Sequence, residues 1–599
     1  MKRAVFFLIA ASALAAEPEF PLTADSKPQE GVPKGTMLKG THTASEGSVF
    51  PGTVRDYQIY LPAGFDKAKP APFMVFQDGV IYQAPVVFDN LIAKKDIPPL
   101  VGLFIKPGVV PAANDNALPR FNRSYEYDSI TPTYSQFLID EFLPAIEAKH
   151  GLKLSTDPNH AAIAGNSSGG ICAFMAAWHR SDRFRRVFTG VGTYVGIHGA
   201  DQLPVLVRKF EPKPLRIFLQ SGTGDNNLYC GDWWMANQMM ERSLTWAGYD
   251  VNHAWGEGGH NQKHASQVFP DAMRWLWRGW QTDIEIQANP KGESKWKGYE
   301  VCVGDNWVKI EVEGLRSLET IKSSVFGDVI GLDHNPNEIV VLANSGAVTR
   351  SRRESVTAFA CGKEGAIYYS TQNLSVSKED DVGSFKLTLE QPNGTSKLLC
   401  SGTQMMVSDI LVKSTGEIIL LAYRSGPETH ALFTVEEQKP KQIWPTSKIK
   451  MSEEPYRITF SPDQSLIYAR DSGSRIRSYS LMKPPRISYV QDFFILDTDS
   501  TNADRAEDWP NGYSPEGACV DTNGWLYVAT SLGIQVCDQA GRVNFIIPTP
   551  QPAHDVCFGG KDLSELFIAC GDTIYKRPTK ARGIVSGQQA PIKPAPPKL

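Results

Sequence analysis

Helical patterning ends near Trp280 and does not return in the second half of the chain. Before that point, short apolar segments alternate with helical periodicity, as where "NHAAIAG" is followed by "GGICAFMAAWHRS". Strands that alternate with helices predict a parallel α/β sheet. After it, short apolar strands recur behind turns. A chain with both patterns must form at least two domains, and 599 residues exceed what one core usually holds.

The strands of the second half recur at long intervals. Successive strands begin 28, 51, 49, 59 and 41 residues apart, at Asn337, Gly365, Gly416, Ser465, Gly524 and Glu565. Several follow turns such as "KSTG", "SPDQ" and "DTNG". Repeats of about 40–50 residues are typical of β-propeller blades. Six units therefore predict an all-β, six-bladed propeller over residues 301–585, with an irregular β-sandwich as the alternative.

The segments outside these two domains have their own signatures. The chain opens with two basic residues, an apolar run and the small-residue pattern Ala13-Leu14-Ala15, which is typical of a secretory signal peptide. We therefore predict cleavage of residues 1–16 and an exported protein, periplasmic or secreted. After it we predict an irregular lead-in over 17–50, the α/β domain over 51–280, a linker over 281–300 and, behind the propeller, a disordered Pro-rich tail over 586–599.

Composition argues against two kinds of partner. The net charge of −4 and the isoelectric point of about 6.3 indicate no broad basic surface for nucleic acid. No apolar run after the signal peptide is long enough for a membrane span.

The nine cysteines include no C-x-x-C pair. Export permits disulfides, but we expect mostly buried free thiols.

The segment Gly165-Asn166-Ser167-Ser168-Gly169 lies between a predicted strand and a predicted helix. G-x-S-x-G in that context is the nucleophile elbow, a sharp turn that exposes the serine and requires small residues two positions away. Centring the pattern on Ser168 would require glycine at position 166, so Ser167 is the candidate nucleophile. The Ser168 backbone N–H would then contribute to an oxyanion hole, with a second donor at Gly79 or Val80. A structural Gly-Ser turn is the alternative.

Candidates for the acid and the base follow in the expected order of serine, acid and histidine. Asp225 lies after the strand "LRIFLQ", at the end of a strand where such sheets place functional groups. Asp232 is the alternative acid, although its position also suits a helix cap. His260 follows two glycines on the loop after the last strand, where a base could reach the serine. His253, within a strand pattern, and His264, at a helix start, are the alternatives.

With these residues placed, the first half resembles the esterase D-like and enterochelin esterase families of α/β-hydrolases. The motifs that carry the resemblance are "RDYQIYLPAGFD", "FNRSYEYD", "AGNSSGG", "GTGD" and "GGH", between about Gly40 and Trp280. The resemblance implies a catalytic triad of Ser167, Asp225 and His260 that acts without a cofactor. It also relates "NRSYEYD" to an Arg-x-x-Glu-Tyr pattern, with Arg123 and Glu126 as substrate contacts or as a structural ion pair.

Three tryptophans lie close in sequence to these motifs. Trp233, Trp234 and Trp255 could stack on a sugar or phenolic ring, or they could belong to the core. The families resembled include feruloyl and other carbohydrate-linked esterases, so the resemblance leaves the substrate open.

The second half resembles the gluconolactonase and regucalcin-like six-bladed propellers, most clearly in "SPEGACVDTNGWLYVATSLGIQVCDQAGRV". That resemblance implies a central divalent cation, calcium or zinc, held by carboxylate and Asn side chains. Here Glu516 stands in a Pro-Asp-Gly motif and Asp409 in an Asn-Asp pair, whereas Pro455-Tyr456-Arg457 replaces Pro-Asn-Gly. A guanidinium would repel a bound cation, and oxygen-ligated sites need several converging ligands. We therefore expect no metal-dependent lactonase activity.

These observations predict an exported serine esterase that acts on small-molecule or carbohydrate-linked esters of sugars or phenolic acids. Its propeller would serve binding or assembly, with a glycan or protein ligand. The alternatives are siderophore ester hydrolysis by the first domain and metal-dependent sugar lactonase activity in the propeller.

Overall fold

The computed structural model describes residues 19–285, 293–304, 306–335, 337–373, 383–424, 430–444, 457–470, 474–482, 486–498 and 517–597. The chain divides into two compact units, the first ending at Lys295 and the second beginning at Trp296 and including Lys209–Glu211. The division falls within the segment predicted as a linker. The predicted signal peptide lies outside the described residues.

The first unit is built on a 10-stranded mixed sheet. The sheet consists of β1 (Thr36–Thr43), β2 (Val54–Leu61), β3 (Phe73–Gln77), β4 (Val101–Ile105), β5 (Val109–Val110), β6 (Arg120–Phe121), β7 (Ala161–Asn166), β8 (Arg186–Gly190), β9 (Arg216–Gly224) and β12 (Asp250–Gly259). A separate two-stranded hairpin consists of β10 (Asn227–Leu228) and β11 (Gly231–Asp232). The sheet order is β12-β9-β8-β7-β3-β4-β2-β5-β6, with β1 beside β2, and β10 pairs with β11. The strands from β12 to β4 are parallel, which confirms the predicted α/β class.

Eight α-helices accompany these strands in the described residues. They are α1 (Ala84–Ala93), α2 (Arg123–Tyr127), α3 (Thr133–Gln136), α4 (Leu143–His150), α5 (Ser168–His179), α6 (Leu203–Lys209), α7 (Trp233–Ala247) and α8 (Lys263–Trp277). A π-helical stretch, Phe137–Phe142, joins α3 to α4. Phe88 and Leu91 of α1 share a buried core with Phe269 and Met273 of α8, which anchors both helices on the sheet.

The lead-in predicted as irregular contains β1, which pairs with β2 along its full length. The prediction was wrong there because β1 carries the Gly, Thr and His residues of "TMLKGTHT" and is largely exposed. A strand stabilised mainly by its partner's backbone leaves little hydrophobic alternation in the sequence.

The second unit is a propeller of six four-stranded antiparallel sheets, as predicted. Blades one to three consist of β14 (Leu318–Ser323), β15 (Val329–Asp333), β16 (Glu338–Leu342), β17 (Val348–Arg352), β18 (Val356–Cys361), β19 (Ile367–Asn373), β20 (Ser384–Glu390), β21 (Ser396–Thr403), β22 (Met405–Val412), β23 (Ile418–Arg424), β24 (His430–Glu436) and β25 (Lys439–Trp444). Blades four to six contain β26 (Arg457–Phe460), β27 (Leu466–Arg470), β28 (Arg475–Met482), β29 (Arg486–Ile495), β30 (Ala518–Val520), β31 (Leu526–Thr530), β32 (Gly533–Cys537), β33 (Val543–Ile547), β34 (Asp555–Gly559), β35 (Glu565–Cys570) and β36 (Thr573–Pro578).

The ring closes through β13 (Val308–Ile310), which pairs with β36 and completes the last blade. The strand near Asn337 that began the predicted series is β16, the third strand of its blade, whereas the later predicted strands are second strands. That difference explains the short first interval of 28 residues.

The C-terminal segment predicted as a disordered tail over 586–599 makes several hydrogen bonds to the propeller within its described part. Ser586 Oγ donates to the Val412 carbonyl oxygen, and Ile592 N donates to the Pro462 carbonyl oxygen. All nine cysteines are free thiols, and most of them are buried. Within the described residues, none of the helices has the length and apolar character needed to cross a membrane.

Candidate active site

The predicted residues Ser167, Asp225 and His260 meet at one edge of the sheet of the first unit, together with Asp78 and Thr193, which were not predicted. Asp78 follows β3, Ser167 follows β7, Thr193 lies beyond the end of β8, Asp225 follows β9 and His260 follows β12. These strands are parallel neighbours in the order β12-β9-β8-β7-β3. Functional groups of open α/β sheets lie at the carboxyl ends of the strands.

Ser167 occupies a strained turn between β7 and α5. Its backbone φ of 58° and ψ of −122° lie in a region that residues other than glycine rarely adopt. A Cβ at Gly165 would lie 2.0 Å from the carbonyl oxygen of Gly169, and a Cβ at Gly169 would lie 3.0 Å from Asp78 Oδ2. The two glycines therefore permit the strand and the helix to approach closely, and the turn presents Ser167 rather than Ser168.

The structure brings Ser167, His260 and Asp225 into one hydrogen-bonded line. His260 Nε2 lies 2.8 Å from Ser167 Oγ, and His260 Nδ1 lies 2.6 Å from Asp225 Oδ1. The Asp225 side chain has no exposed surface. Because an ionised carboxylate only accepts hydrogen bonds, His260 carries its proton on Nδ1 and offers the Nε2 lone pair to the serine.

Two further donors fix the Asp225 carboxylate. Ser221 Oγ donates to Oδ2 at 2.7 Å, and the backbone N–H of Asn226 donates to Oδ1 at 2.8 Å. The alternative acid, Asp232, caps helix α7 by accepting from the Met235 backbone N–H at 3.0 Å.

The alternative histidines lie elsewhere in the fold. His253 stacks on Trp255 with ring centroids 4.6 Å apart. His264 is buried in α8, where its Nδ1 lies 3.1 Å from Gln220 Nε2. Burial lowers the pKa of His264, so its ring is neutral at physiological pH.

Thr193 and Trp233 complete the immediate surroundings of the serine. Thr193 Oγ1 lies 3.3 Å from Ser167 Oγ, and Trp233 Nε1 donates to Thr193 Oγ1 at 3.2 Å. The Trp233 ring also packs edge-on against His260, with centroids 5.6 Å apart. Trp233 is 4% exposed, so it supports these residues and offers no face to a substrate, contrary to the predicted contact.

The predicted oxyanion donor Gly79 is wrong, because its backbone N–H already donates to the Ile105 carbonyl oxygen at 3.0 Å. The next amide, Val80, has no hydrogen-bond acceptor among the described residues, and its residue is 41% exposed. Ser168 is the first residue of α5, where a backbone N–H has no partner within the helix. Val80 and Ser168 are thus the amides available to a developing oxyanion.

Arg123 and Glu126, predicted together, have separate partners. Arg123 forms a bidentate pair with Asp78 at 2.7 and 2.8 Å, and the hydrogen bonds from Arg123 to Asp78 raise the pKa of Arg123, which stays cationic beside the elbow. Glu126 pairs with Arg55 at 2.8 Å, and neither side chain is exposed. Glu126 is therefore a structural residue and not a substrate contact. Arg123 keeps 39% of its side chain exposed.

Apolar surface remains exposed on α7 and the neighbouring hairpin. Trp234 packs edge-on against Trp255 with centroids 5.4 Å apart, and both are only partly buried. Met235 is 59% exposed, and Tyr229 of the β10–β11 turn is 96% exposed. Of the three predicted tryptophans, Trp234 and Trp255 retain surface that another molecule could contact.

The propeller encloses a cavity of about 120 Å³ lined by the first strand of each blade and by residues 584–587. Lys322 Nζ lies 2.6 Å from Asp409 Oδ1, which also accepts the Ile410 backbone N–H at 2.8 Å, and Asp409 Oδ2 accepts from Ile458 N at 3.0 Å. Arg457 donates to the Ser408 carbonyl oxygen at 3.0 Å.

These residues do not fit a divalent cation. Both oxygens of Asp409 are occupied by donors, and an ammonium and a guanidinium lie beside it, where they would repel added positive charge. The described residues contain no group of three or more His, Cys, Asp or Glu side chains placed to hold a metal ion. The other predicted ligand, Glu516, lies outside the described residues.

Comparison with known proteins finds one family-model match in each half of the chain. Residues 48–264 match the family model described as "Putative esterase", and residues 455–571 match the model described as SMP-30/Gluconolactonase/LRE-like region. Over these residues the α/β unit is similar to esterases and the propeller is similar to gluconolactonases.

Two curated relatives match stretches of the chain. The chain is 30% identical over 155 residues to an iron(III) enterobactin esterase of Dickeya dadantii (strain 3937), covering 23% of this chain and 34% of that protein. It is 32% identical over 93 residues to regucalcin of Oryctolagus cuniculus, covering 14% and 31%. It spans about a third of the length of these curated relatives. The structure of a CE1 ferulic acid esterase from Anaeromyces mucronatus matches with a TM-score of 0.34 and 19% identity, over 43% of this chain and 96% of that one.

Proposed function

We propose that the chain is an exported serine carboxylic-ester hydrolase, with Ser167 as nucleophile, His260 as general base and Asp225 as the acid that orients the base. The hydrogen-bonded line from Asp225 through His260 to Ser167, at 2.6 and 2.8 Å, carries this proposal. The esterase family match over residues 48–264 supports the same reaction class.

The geometry suits a two-step acyl transfer. Ser167 Oγ attacks the ester carbonyl carbon while its proton passes to His260 Nε2, and the carbonyl oxygen takes the negative charge near the Ser168 and Val80 amides. Collapse of the tetrahedral intermediate breaks the bond to the alcohol oxygen, which receives the proton from His260. Water, deprotonated by His260, then attacks the acyl carbon. Collapse of the second tetrahedral intermediate breaks the bond to Ser167 Oγ, which receives the proton from His260, and the carboxylic acid is released.

The substrate we propose carries an aromatic or sugar ring. Support comes from the half-buried Trp234 and Trp255 and from the exposed Met235 at the start of α7, the helix whose first residue contacts His260. Aromatic planes gain contact energy from such rings. Siderophore esters are the second candidate, because the chain is 30% identical over 155 residues to an iron(III) enterobactin esterase. A panel of aryl, feruloyl, acetyl-sugar and siderophore esters separates the two.

For the propeller we propose a role in binding or assembly, with a glycan or protein ligand, and no metal-dependent lactonase activity. The pairing of Asp409 with Lys322 supports this proposal, because a catalytic cation would compete with the ammonium for the carboxylate. Sugar-lactone hydrolysis that chelator abolishes would contradict it.

The proposed chemistry is tested by replacing two adjacent serines. Ser167→Ala removes the nucleophile, and we expect ester hydrolysis to fall by at least about 10³-fold. Ser168→Ala is the matched control, since it keeps the backbone N–H and should retain most activity. Wild-type rates in Ser167→Ala would contradict the proposal. Export is tested separately by N-terminal sequencing of protein recovered outside the cytoplasm, where a start after residue 16 is expected.

A further inference from the structure

Thr193 is a second hydroxyl group in contact with the candidate nucleophile. Its Oγ1 lies 3.3 Å from Ser167 Oγ, and its backbone N–H donates to the Ser167 carbonyl oxygen at 3.2 Å. The residue is 1% exposed. Two contacts to one residue, one from the backbone and one from the side chain, hold Thr193 in a defined position relative to Ser167.

Trp233 sets the direction of the hydrogen bond between the two hydroxyls. An indole N–H can only donate, and Trp233 Nε1 lies 3.2 Å from Thr193 Oγ1. Thr193 Oγ1 is therefore an acceptor from Trp233, and its own proton points to another acceptor, which is Ser167 Oγ. The Ser167 proton is then left for His260 Nε2 at 2.8 Å. In this arrangement the Trp233 indole donates to the Thr193 hydroxyl, which donates to Ser167 Oγ. The Ser167 hydroxyl in turn donates to His260 Nε2.

The loop that carries Thr193 is strained. Val191 has a φ of 40°, which is a costly conformation for a β-branched residue, and it is fully buried. Asn237 Nδ2 donates to the Gly192 carbonyl oxygen at 2.9 Å and holds the turn from the side of α7. Strained backbone that is fixed by several contacts is concentrated at functional sites.

We propose that Thr193, oriented by Trp233, is a positioning residue for Ser167 in the ester hydrolysis described above, and this inference rests on that proposed function. The Thr193 O–H donates to Ser167 Oγ, so the serine proton faces His260 before attack. As that proton moves to His260, negative charge develops on Ser167 Oγ and the hydrogen bond from Thr193 strengthens. The contribution is made in the transition state of acylation, so it affects kcat more than KM.

The test compares variants that change only the hydroxyl or only the indole N–H. We expect Thr193→Val to lower kcat about tenfold with little change in KM, which is the loss of one hydrogen bond to developing charge. Thr193→Ser keeps the hydroxyl and should restore kcat to within about threefold of wild type. Trp233→Phe keeps a ring beside His260 but removes the donor, and kcat should fall about threefold. The rate at which a fluorophosphonate labels Ser167 should fall in parallel in each variant.

Thr189→Val is the matched control. Thr189 is buried in β8 and accepts a hydrogen bond from Tyr194 OH at 3.3 Å. Among the described residues it forms no hydrogen bond with Ser167, so the loss of its hydroxyl should leave kcat unchanged. Equal kcat in Thr193→Val and wild type, or equal falls in Thr193→Val and Thr193→Ser, would overturn the inference. If Thr193→Val fails to fold, an unchanged kcat and labelling rate in Trp233→Phe would overturn it. Activity that survives in Ser167→Ala would instead overturn the proposed function.

Discussion

Replacing Asp225 by Asn separates the charge of this residue from its hydrogen-bonding geometry. Oδ1 accepts two donors, His260 Nδ1 at 2.6 Å and Asn226 N at 2.8 Å, whereas within the described part of the chain Oδ2 accepts only the Ser221 hydroxyl at 2.7 Å. An amide group at the Oδ1 position would face two N–H donors. At the Oδ2 position it would face a hydroxyl that can rotate and accept. The side-chain oxygen of the introduced asparagine should therefore replace Oδ1.

This orientation preserves the tautomer of His260 and removes only the negative charge. The bond to His260 changes from charge-assisted to neutral, which costs about 2–4 kcal/mol once the weaker stabilisation of the imidazolium is included. The expected loss in kcat is about 10²–10³-fold. An Asp→Asn change that forces the wrong tautomer costs about 10⁴-fold in the Ser-His-Asp template.

The assay is the hydrolysis of an aryl ester, with kcat and KM measured separately and thermal unfolding followed by circular dichroism. Asp232→Asn is the control, because asparagine caps helices as well as aspartate does and α7 should be unaffected. A loss of about 10⁴-fold or more would refute the orientation argument. A loss of less than about tenfold would refute the role of the carboxylate.

Three further predictions concern the elbow and the propeller. Gly165→Ala places a methyl group 2.0 Å from the carbonyl oxygen of Gly169. Urea denaturation should therefore show a free energy of unfolding lower by about 3 kcal/mol, and ester hydrolysis should disappear. A stable, active variant would contradict the packing described for the elbow. Calorimetric titration should detect no stoichiometric calcium or zinc binding to wild type, to Lys322→Ala or to the surface control Lys309→Ala, because Asp409 keeps its backbone donors and Arg457 remains nearby. Tight binding by wild type would contradict this account of the propeller cavity. Burial raises the pKa of Asp555 from 3.8 to about 7, so the folded state retains a proton that the unfolded state loses. Propeller stability should therefore fall by about 3 kcal/mol as pH rises from about 4 to 7. Asp555→Asn should flatten this slope in calorimetric melts, and an identical slope would contradict the assignment.

Ser167, Asp225 and His260 could be predicted from the sequence because each is indicated by a local pattern of residues and by its order along the chain. The glycines around Ser167 satisfy a turn that spans five residues, and Asp225 and His260 follow the last two parallel strands. Parallel topology brings the ends of such strands together whatever their separation in sequence. The six-bladed count was accessible for a similar reason, since each blade repeats its own turns.

The oxyanion donors, the partner of Glu126 and the residues that surround Ser167 depend on contacts between residues far apart in the chain. The position of Gly79 in the sequence suits an oxyanion donor, but its amide donates to the carbonyl oxygen of Ile105, on the neighbouring strand. Glu126 pairs with Arg55, 71 residues away, and no local pattern indicates that partner. Asp78 and Thr193 stand in the glycine-containing loops after β3 and β8. Their positions at strand ends could have indicated them, but their partners, Arg123 and Trp233, could not be derived from sequence.

The central claim is that ester hydrolysis proceeds through an acyl-enzyme on Ser167, and covalent labelling tests it most directly. Wild type is incubated with a fluorophosphonate, residual ester hydrolysis is followed, and the modified peptide is identified by mass spectrometry. The account predicts one adduct per chain on Ser167, inactivation in proportion to labelling, and no adduct in Ser167→Ala. An adduct on another residue, or full activity after complete labelling of Ser167, would contradict it.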